Sequence, residues 1–164
     1  MEAPELYAPE IYVQPGELHL VHNPTVLKTV LGSCVGVTFR IPRLGIGAIC
    51  HPMLPRCPPA RAAHSRDCAN GRYVDFAIRE LARQLDALGA ERIEAEVKLF
   101  GGADVLPAHG KSLRPTVGKL NSEMALRVLR EEGFDVQVSR LGGSNGIHIQ
   151  FDTGTGEVLL RHLK

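Results

Sequence analysis

The most regular apolar pattern in the chain lies between residues 74 and 88, where Val74, Ile78, Leu81, Leu85 and Leu88 recur at spacings of 4, 3, 4 and 3. This is the stripe of an amphipathic helix, and it predicts one that opens at Asn70 or Gly71 and closes at Gly89. The period then changes to two. Ile93, Ala95, Val97 and Leu99 alternate with Arg92, Glu94, Glu96 and Lys98, which predicts a strand from Ile93 to Phe100. It runs into Gly101-Gly102-Ala103, where a backbone without Cβ atoms lets a neighbour approach closely. Beyond a loop over residues 107–115, a second helix is expected from Asn121, read as its cap, to Gly133, with Ala125, Val128 and Leu129 on its apolar face. Strand-like runs at Phe134–Leu141, Gly146–Asp152 and Glu157–His162 close the chain.

The N-terminal half is less periodic. Residues 1–16 are proline-rich and read as an arm that ends in an edge strand at Ile11-Tyr12-Val13. A short strand follows around Leu18 to Val21, and another runs through Thr29 into a hairpin that contains Cys34. Residues 52–70 mix Pro, Arg, Ala and Cys without a period and predict a long loop. Strands before, between and after two helices indicate an α+β fold: packed, sandwich-like mixed sheets flanked by two main helices, in one domain spanning 1–164.

The hairpin brings chemistry into view. If Pro42-Arg43 forms a two-residue turn, opposed positions sum to 85 and Cys34 faces His51. Val35, Val37 and Phe39 then share an apolar side with Cys50, Ala48 and Ile46. The opposite side pairs Cys34, Gly36, Thr38 and Arg40 with His51, Ile49, Gly47 and Gly45, small residues that would leave room for a substrate. A thiol and an imidazole in reach of each other are a nucleophile and its base. The bland alternative is a small buried cysteine beside a polar histidine.

Composition limits the alternatives. The chain has 164 residues, 44% hydrophobic and 23% charged, with a net charge of +1. Such a charge gives no global preference for nucleic acid or an anionic membrane. No apolar run approaches the ~20 residues of a membrane span, so a cytoplasmic protein without membrane insertion is expected. In that setting Cys34, Cys50, Cys57 and Cys68 are expected as thiols. Cys50, His51, Cys57, His64 and Cys68 are zinc-ligand types, but they form no compact Cys-x-x-Cys knuckle, and neither metal nor cofactor is expected. Asp152-Thr153-Gly154 has the aspartic-protease triplet, yet its Gly-rich setting predicts a hairpin turn. His19, His22, His109, His148 and His162 have no carboxylate or thiol at a suggestive spacing.

Motifs distributed along the chain resemble one family. Thr29-Val30-Leu31-Gly32-Ser33-Cys34-Val35-Gly36-Val37 and Gly47-Ala48-Ile49-Cys50-His51-Pro52-Met53-Leu54-Pro55 are similar to signature blocks of CheD, the chemoreceptor glutamine deamidases. Tyr73-Val74-Asp75, Phe100-Gly101-Gly102-Ala103, Val117-Gly118-Lys119-Leu120-Asn121 and the segment 151–158 extend the resemblance over nearly the whole chain. It implies a cysteine hydrolase with Cys34 as nucleophile, His51 as base and a threonine as third member. Thr29 is the candidate for that third position, although some members place the threonine where this chain has Lys28. After Gly142-Gly143 many members carry an arginine and a second basic residue, whereas this chain has Ser144-Asn145-Gly146-Ile147.

The implied reaction converts glutamines of methyl-accepting chemotaxis receptors to glutamate through a Cys34 thioester, with oxyanion support expected near Gly32 and Ser33. Gly101, Gly102, Gly142 and Gly143 are expected to border the substrate or a partner. A CheC-type phosphatase is the further partner the resemblance implies. The competing expectations are a mainly regulatory docking module and a generic amidase acting on small amides.

Overall fold

The computed structural model describes residues 7–62, 65–105 and 114–164. Nine strands are present among them: β1 (Glu10–Tyr12), β2 (Leu18–His22), β3 (Val26–Leu31), β4 (Val35–Ile41), β5 (Ile46–Cys50), β6 (Glu96–Gly101), β7 (Val136–Leu141), β8 (Ile147–Asp152) and β9 (Val158–His162). The helices are the short α1 (Pro59–Ala62) and α2 (Ser65–Cys68) and the long α3 (Val74–Ala87) and α4 (Val117–Glu131). A five-stranded sheet in the order β2-β5-β4-β6-β7 lies against a four-stranded sheet in the order β1-β3-β8-β9. Each is mixed, through the parallel pairs β1/β3 and β6/β7.

The result is three layers with two cores. Helices α3 and α4 cover one face of the five-stranded sheet, burying Val74, Ile78, Leu81, Leu85, Val128 and Leu129 against Val37, Phe39 and Ala48. Its other face meets the four-stranded sheet through Ile49, Leu27, Leu31, Ile149 and Phe151. Strands β4 and β5 are therefore covered on both sides, which explains why they read as nearly continuous apolar runs.

The hairpin differs from the two-residue expectation. Pro42–Leu44 forms a 3₁₀ turn closed by Gly45 at φ 63°, with the Gly45 N–H donating to the Pro42 carbonyl. Val37 consequently pairs with Cys50 and Ile41 with Ile46, so partners sum to 87. A shift of two preserves parity. Val35, Val37, Phe39, Ala48 and Cys50 keep their shared side, but direct opposition of Cys34 and His51 is lost. The small residues on the other side also have a different purpose. A Cβ at Gly36 would lie 2.9 Å from Leu31 Cδ1, and one at Gly47 2.5 Å from Thr153 Cγ2. They admit the second sheet, not a substrate.

Other boundaries moved for identifiable reasons. The predicted strand through Thr29 into the hairpin is two strands in different sheets, with Gly32-Ser33-Cys34 as the crossing. Ile93 sits in a 3₁₀ turn at Arg92–Glu94, 90% exposed, ahead of β6. Helix α3 opens at Val74, and its stripe stops at Leu85, since Leu88 is 48% exposed. Helix α4 begins at Val117, capped by the Thr116 side chain accepting from the Lys119 N–H, which places Asn121 inside the helix. Residues 52–70 hold α1 and α2, and Cys57 and Cys68 are joined as a disulfide, contrary to the expectation of four thiols. His64 and His109 lie outside the described residues.

Gly47→Ala is expected to lower the unfolding free energy by roughly 1–3 kcal/mol, the cost of overpacking a fixed seam, seen as a reduced urea midpoint. Adding Thr153→Ser, which deletes the methyl nearest the new Cβ, should recover part of the loss.

Candidate active site

Of the three residues expected to carry chemistry, Thr29 and His51 are hydrogen-bonded where the sheets meet, and Cys34 lies on the crossing between β3 and β4, with no hydrogen bond to His51 among the described residues. Thr29 lies on β3 of the four-stranded sheet, His51 follows the end of β5 in the other, and Cys34 immediately precedes β4. The Val35 N–H donates to the Pro52 carbonyl at 3.3 Å, continuing the β4/β5 ladder one residue past His51 and up to the residue next to Cys34. In that register Gly36 lies opposite His51, and Cys34 is its diagonal neighbour on the same side, a relation that long side chains can span. The His51 backbone is fixed on its outer edge as well: its N–H donates to the Glu17 carbonyl and its carbonyl accepts from the Gly16 N–H.

Thr29 is the polar partner of the imidazole. Its Oγ1 lies 2.7 Å from His51 Nδ1 and also 2.7 Å from the Val13 carbonyl oxygen, with all of this buried. A hydroxyl has one proton to give, and a carbonyl can only accept it. Thr29 therefore donates to Val13 and accepts from His51, which puts the ring proton on Nδ1 and leaves the Nε2 lone pair available. Lys28, the alternative third member, instead pairs with Glu10 at 2.9 Å on the exposed side of β3.

Burial sets the protonation state. It pushes the His51 imidazole down to about 4, opposed by the Val13 carbonyl and the Glu17 charge. The same desolvation raises the half-buried Cys34 thiol above its ordinary value, opposed by the residue's own backbone N–H. At neutral pH both groups rest uncharged. Cys50, wholly buried under α3 and α4, is pushed up to about 12 and packs as a small hydrophobe.

The loop that presents Cys34 is pinned at three successive carbonyls. Gly32 O accepts from the Ala103 N–H at 2.9 Å, Ser33 O from Asn121 Nδ2 at 2.9 Å, and Cys34 O from the Gly102 N–H at 2.8 Å. Gly101 and Gly102 thus support the loop. At Gly101, where φ is 103°, a Cβ would fall 2.3 Å from Cys34 O, so the close approach requires glycine. Among the described residues the N–H groups of Ser33 and Cys34 donate to no other protein group. A cleft of about 630 Å³ opens over Cys34, lined by Met53, Leu54, Ala103, Val105 and Val117 among others, with Asp104 as the charged member of the described lining.

Gly142 and Gly143 are not in this cleft. They line a separate groove of about 560 Å³ between β7 and β9, although Gly142 N–H donates to Gly101 O and Gly143 O accepts from the Asp104 N–H. Two contributors escaped the sequence reading. Val13 acts through its carbonyl, which no side-chain pattern reveals. Asn121 carried a signal: it is a polar residue within the buried stripe Gly118, Asn121, Ala125, Val128. His19, whose sequence spacing suggests no carboxylate, is satisfied by Glu17 two residues away, with Nε2 to Oε2 at 2.7 Å. Asp152-Thr153-Gly154 is a hairpin turn, Asp152 Oδ1 accepting from the Gly154 N–H. Among the described residues no helix is long and apolar enough to cross a membrane.

The His51 shift makes a prediction about stability. An unfolded imidazole titrates near 6.5 and the folded one at about 4, so the folded state binds fewer protons between those values. Stability is complete above pH ~6.5 and declines as pH falls towards 4, by roughly 3 kcal/mol from this group. Urea midpoints of wild type measured from pH 7.5 to 4 should show this slope, and His51→Gln should flatten it.

Comparison with known proteins identifies the family of the chain. Residues 53–162 match the family model described as CheD chemotactic sensory transduction. A probable chemoreceptor glutamine deamidase CheD 2 of Geobacter sulfurreducens is 42% identical over 155 residues, covering 94% of this chain and 91% of that protein. Probable chemoreceptor glutamine deamidases CheD of Maridesulfovibrio salexigens and Nitratidesulfovibrio vulgaris are 34% and 38% identical, covering 94% of this chain and 92% and 77% of those proteins. The relatives align well beyond the segment covered by the family model, over most of the chain, and on this similarity the chain belongs to the CheD family.

Proposed function

We propose that this chain, as one catalytic domain, hydrolyses the side-chain amide of chemoreceptor glutamines to glutamate, with Cys34 as nucleophile, His51 as base and Thr29 as the group that orients the imidazole. The hydrogen-bonded chain from His51 Nδ1 through Thr29 to the Val13 carbonyl carries the reading, because it leaves Nε2 free for the thiol. Family membership supplies the substrate class. The apolar cleft over Cys34 suits a protein surface more than a free amino acid, whose charged ends would meet Met53, Leu54 and Val117.

Both partners begin neutral, so proton transfer accompanies attack. The Cys34 thiol proton passes to His51 Nε2 as sulfur bonds to the carboxamide carbon, and the carbonyl electrons move onto oxygen. The N–H groups of Cys34 and Ser33 are the donors placed to hold that oxyanion. The imidazolium returns its Nε2 proton to the amide nitrogen, the C–N bond breaks, and ammonia leaves a thioester. Water then gives a proton to Nε2 and adds to the thioester carbon. The C–S bond breaks, sulfur recovers the proton, and the released carboxylic acid gives its own proton to solvent to become glutamate. Throughout, the ring proton stays on Nδ1, donated to Thr29 Oγ1.

A cytoplasmic setting, where receptor signalling domains are accessible, and docking of a CheC-type phosphatase belong to the same proposal, supported by family membership.

Incubation of a receptor cytoplasmic domain with wild type should raise its mass by about one dalton per modified glutamine, and Cys34→Ala should abolish the gain. Full deamidation by Cys34→Ala would overturn the proposal. Thr29→Val, which removes the acceptor for Nδ1–H, should reduce kcat by about 10–100-fold. The acid limb of kcat/KM should lie near the folded His51 value of about 4 instead of 6.5.

A further inference from the structure

Asn121 belongs to the core-facing stripe of α4, wholly buried, where an apolar residue would be ordinary. Its Nδ2 donates to Ser33 O and to Met53 O, each at 2.9 Å. Ser33 immediately precedes Cys34, and Met53 stands two residues after His51. One amide nitrogen therefore ties the loop of the candidate nucleophile to the segment of the candidate base. The cost is visible on the other atom: Asn121 Oδ1 is buried with no hydrogen-bond partner among the described residues. A leucine would fill similar space without that penalty but would supply no donor.

The consequence follows from peptide geometry. In a trans peptide the carbonyl of one residue and the N–H of the next lie in one plane and point in opposite directions. Pinning Ser33 O against α4 aims the Cys34 N–H away from the helix, towards the cysteine's own sulfur, on which that N–H acts. The adjoining carbonyls of Gly32 and Cys34 are held by backbone groups of the 102–103 turn. The support is rigid, since α4 is seated on that turn: a Cβ at Gly118 would fall 2.5 Å from Ala103 O.

We infer that Asn121 is a positioning residue of the reaction, holding the 33–34 peptide so that the Cys34 N–H meets the oxyanion while it fixes the His51-bearing segment at the matching height. This rests on the reading of Cys34 as nucleophile. Its distinguishing feature is that one side chain acts on two loops at once and touches neither substrate nor the reacting atoms.

Two measurements test it. Asn121→Leu keeps volume and removes the donors, with Asn121→Ala as its companion. Either, folded by near-ultraviolet circular dichroism, should lose about 100-fold in kcat, comparable with loss of an oxyanion donor, with KM within about twofold. The pH profile of Cys34 alkylation by iodoacetamide should change as well. Wild-type kcat and alkylation profile in a folded Asn121→Leu protein would overturn the inference.

The second measurement uses wild type, so it does not depend on the variants folding. A receptor-derived peptide carrying the aldehyde analogue of glutamine should form a hemithioacetal at Cys34 and shift the Cys34 amide resonance downfield. Formation of the adduct without that shift would overturn the inference and leave the nucleophile intact. Failure of the adduct to form, together with deamidation by Cys34→Ala, would instead sink the underlying assignment of Cys34.

Discussion

The hydrogen bond between Thr29 Oγ1 and His51 Nδ1 crosses from one sheet to the other, and much of the molecule is arranged to make that crossing possible. Two sheets packed face to face ordinarily stand about 10 Å apart, too far for a threonine and a histidine backbone to share a short contact in the middle of the seam. Here His51 continues the alternation of β5, on the same side as Ile49 and facing the second sheet. Gly36 and Gly47 allow the close approach that brings β3 and β8 within reach. The arm strand β1 contributes through its continuation, because the Val13 N–H donates to Lys28 O while the Val13 carbonyl accepts the hydrogen bond of the Thr29 hydroxyl. An N-terminal segment that reads as peripheral thus ends one relay from the imidazole.

The neutral resting state follows from where the pair is buried. Holding a thiolate and an imidazolium together out of water recovers their Coulomb attraction only with further donors to each charge. Nothing cationic lies among the described lining of the cleft, and Asp104 would oppose a thiolate there. The arrangement instead defers charge until an oxyanion exists to receive it. On the proposed mechanism the donors of the 33–34 segment then face a negative oxygen, and the imidazolium has Thr29 on one nitrogen and the leaving group on the other. Stabilisation appears in the transition state and not before, which is the condition for raising kcat. A thiol of this kind is also less prone to oxidation and alkylation at rest than a preformed thiolate.

Much of this was legible in the residues, and the failures share a physical cause. Period-two and period-3.6 patterns located α3, β6, β7, β8 and β9 because each has one face in a core and the other in water. Ile93 misled because alternation continued past the point where the sheet ends. The hairpin register slipped by two, since a proline-led 3₁₀ turn with Gly45 consumes two residues that a tight turn would pair. Parity survived, so the side of each residue was right while its partner was wrong. Asparagine favours caps, which is the signal Asn121 gives in sequence, whereas Thr116 takes that role and the amide serves a tertiary purpose. The disulfide of Cys57 with Cys68 is not legible in the sequence, because a reducing compartment predicts thiols and spacing alone does not pair cysteines.

The segment Ser144-Asn145-Gly146-Ile147, which departs from the family pattern, is placed by the fold away from the chemistry. Gly142, Gly143 and Asn145 border the groove between β7 and β9, and Cys34 opens into the cleft on the other side of the 101–104 turn. Loss of the family's basic residues there changes the charge of the groove without adding or removing a group at the thiol. The two regions still share a wall, since Ala103 faces both, and they share hydrogen bonds: Gly143 O holds the Asp104 N–H, while Ala103 and Gly102 N–H hold the Cys34 loop. A change that displaced the 142–143 turn would therefore reach Cys34 through three consecutive residues. A change of side chain that leaves its backbone in place would not. The glycines at 142 and 143, at φ 85° and 82°, hold that backbone in a conformation other residues rarely adopt, so the coupling depends on them and not on the altered residues beside them.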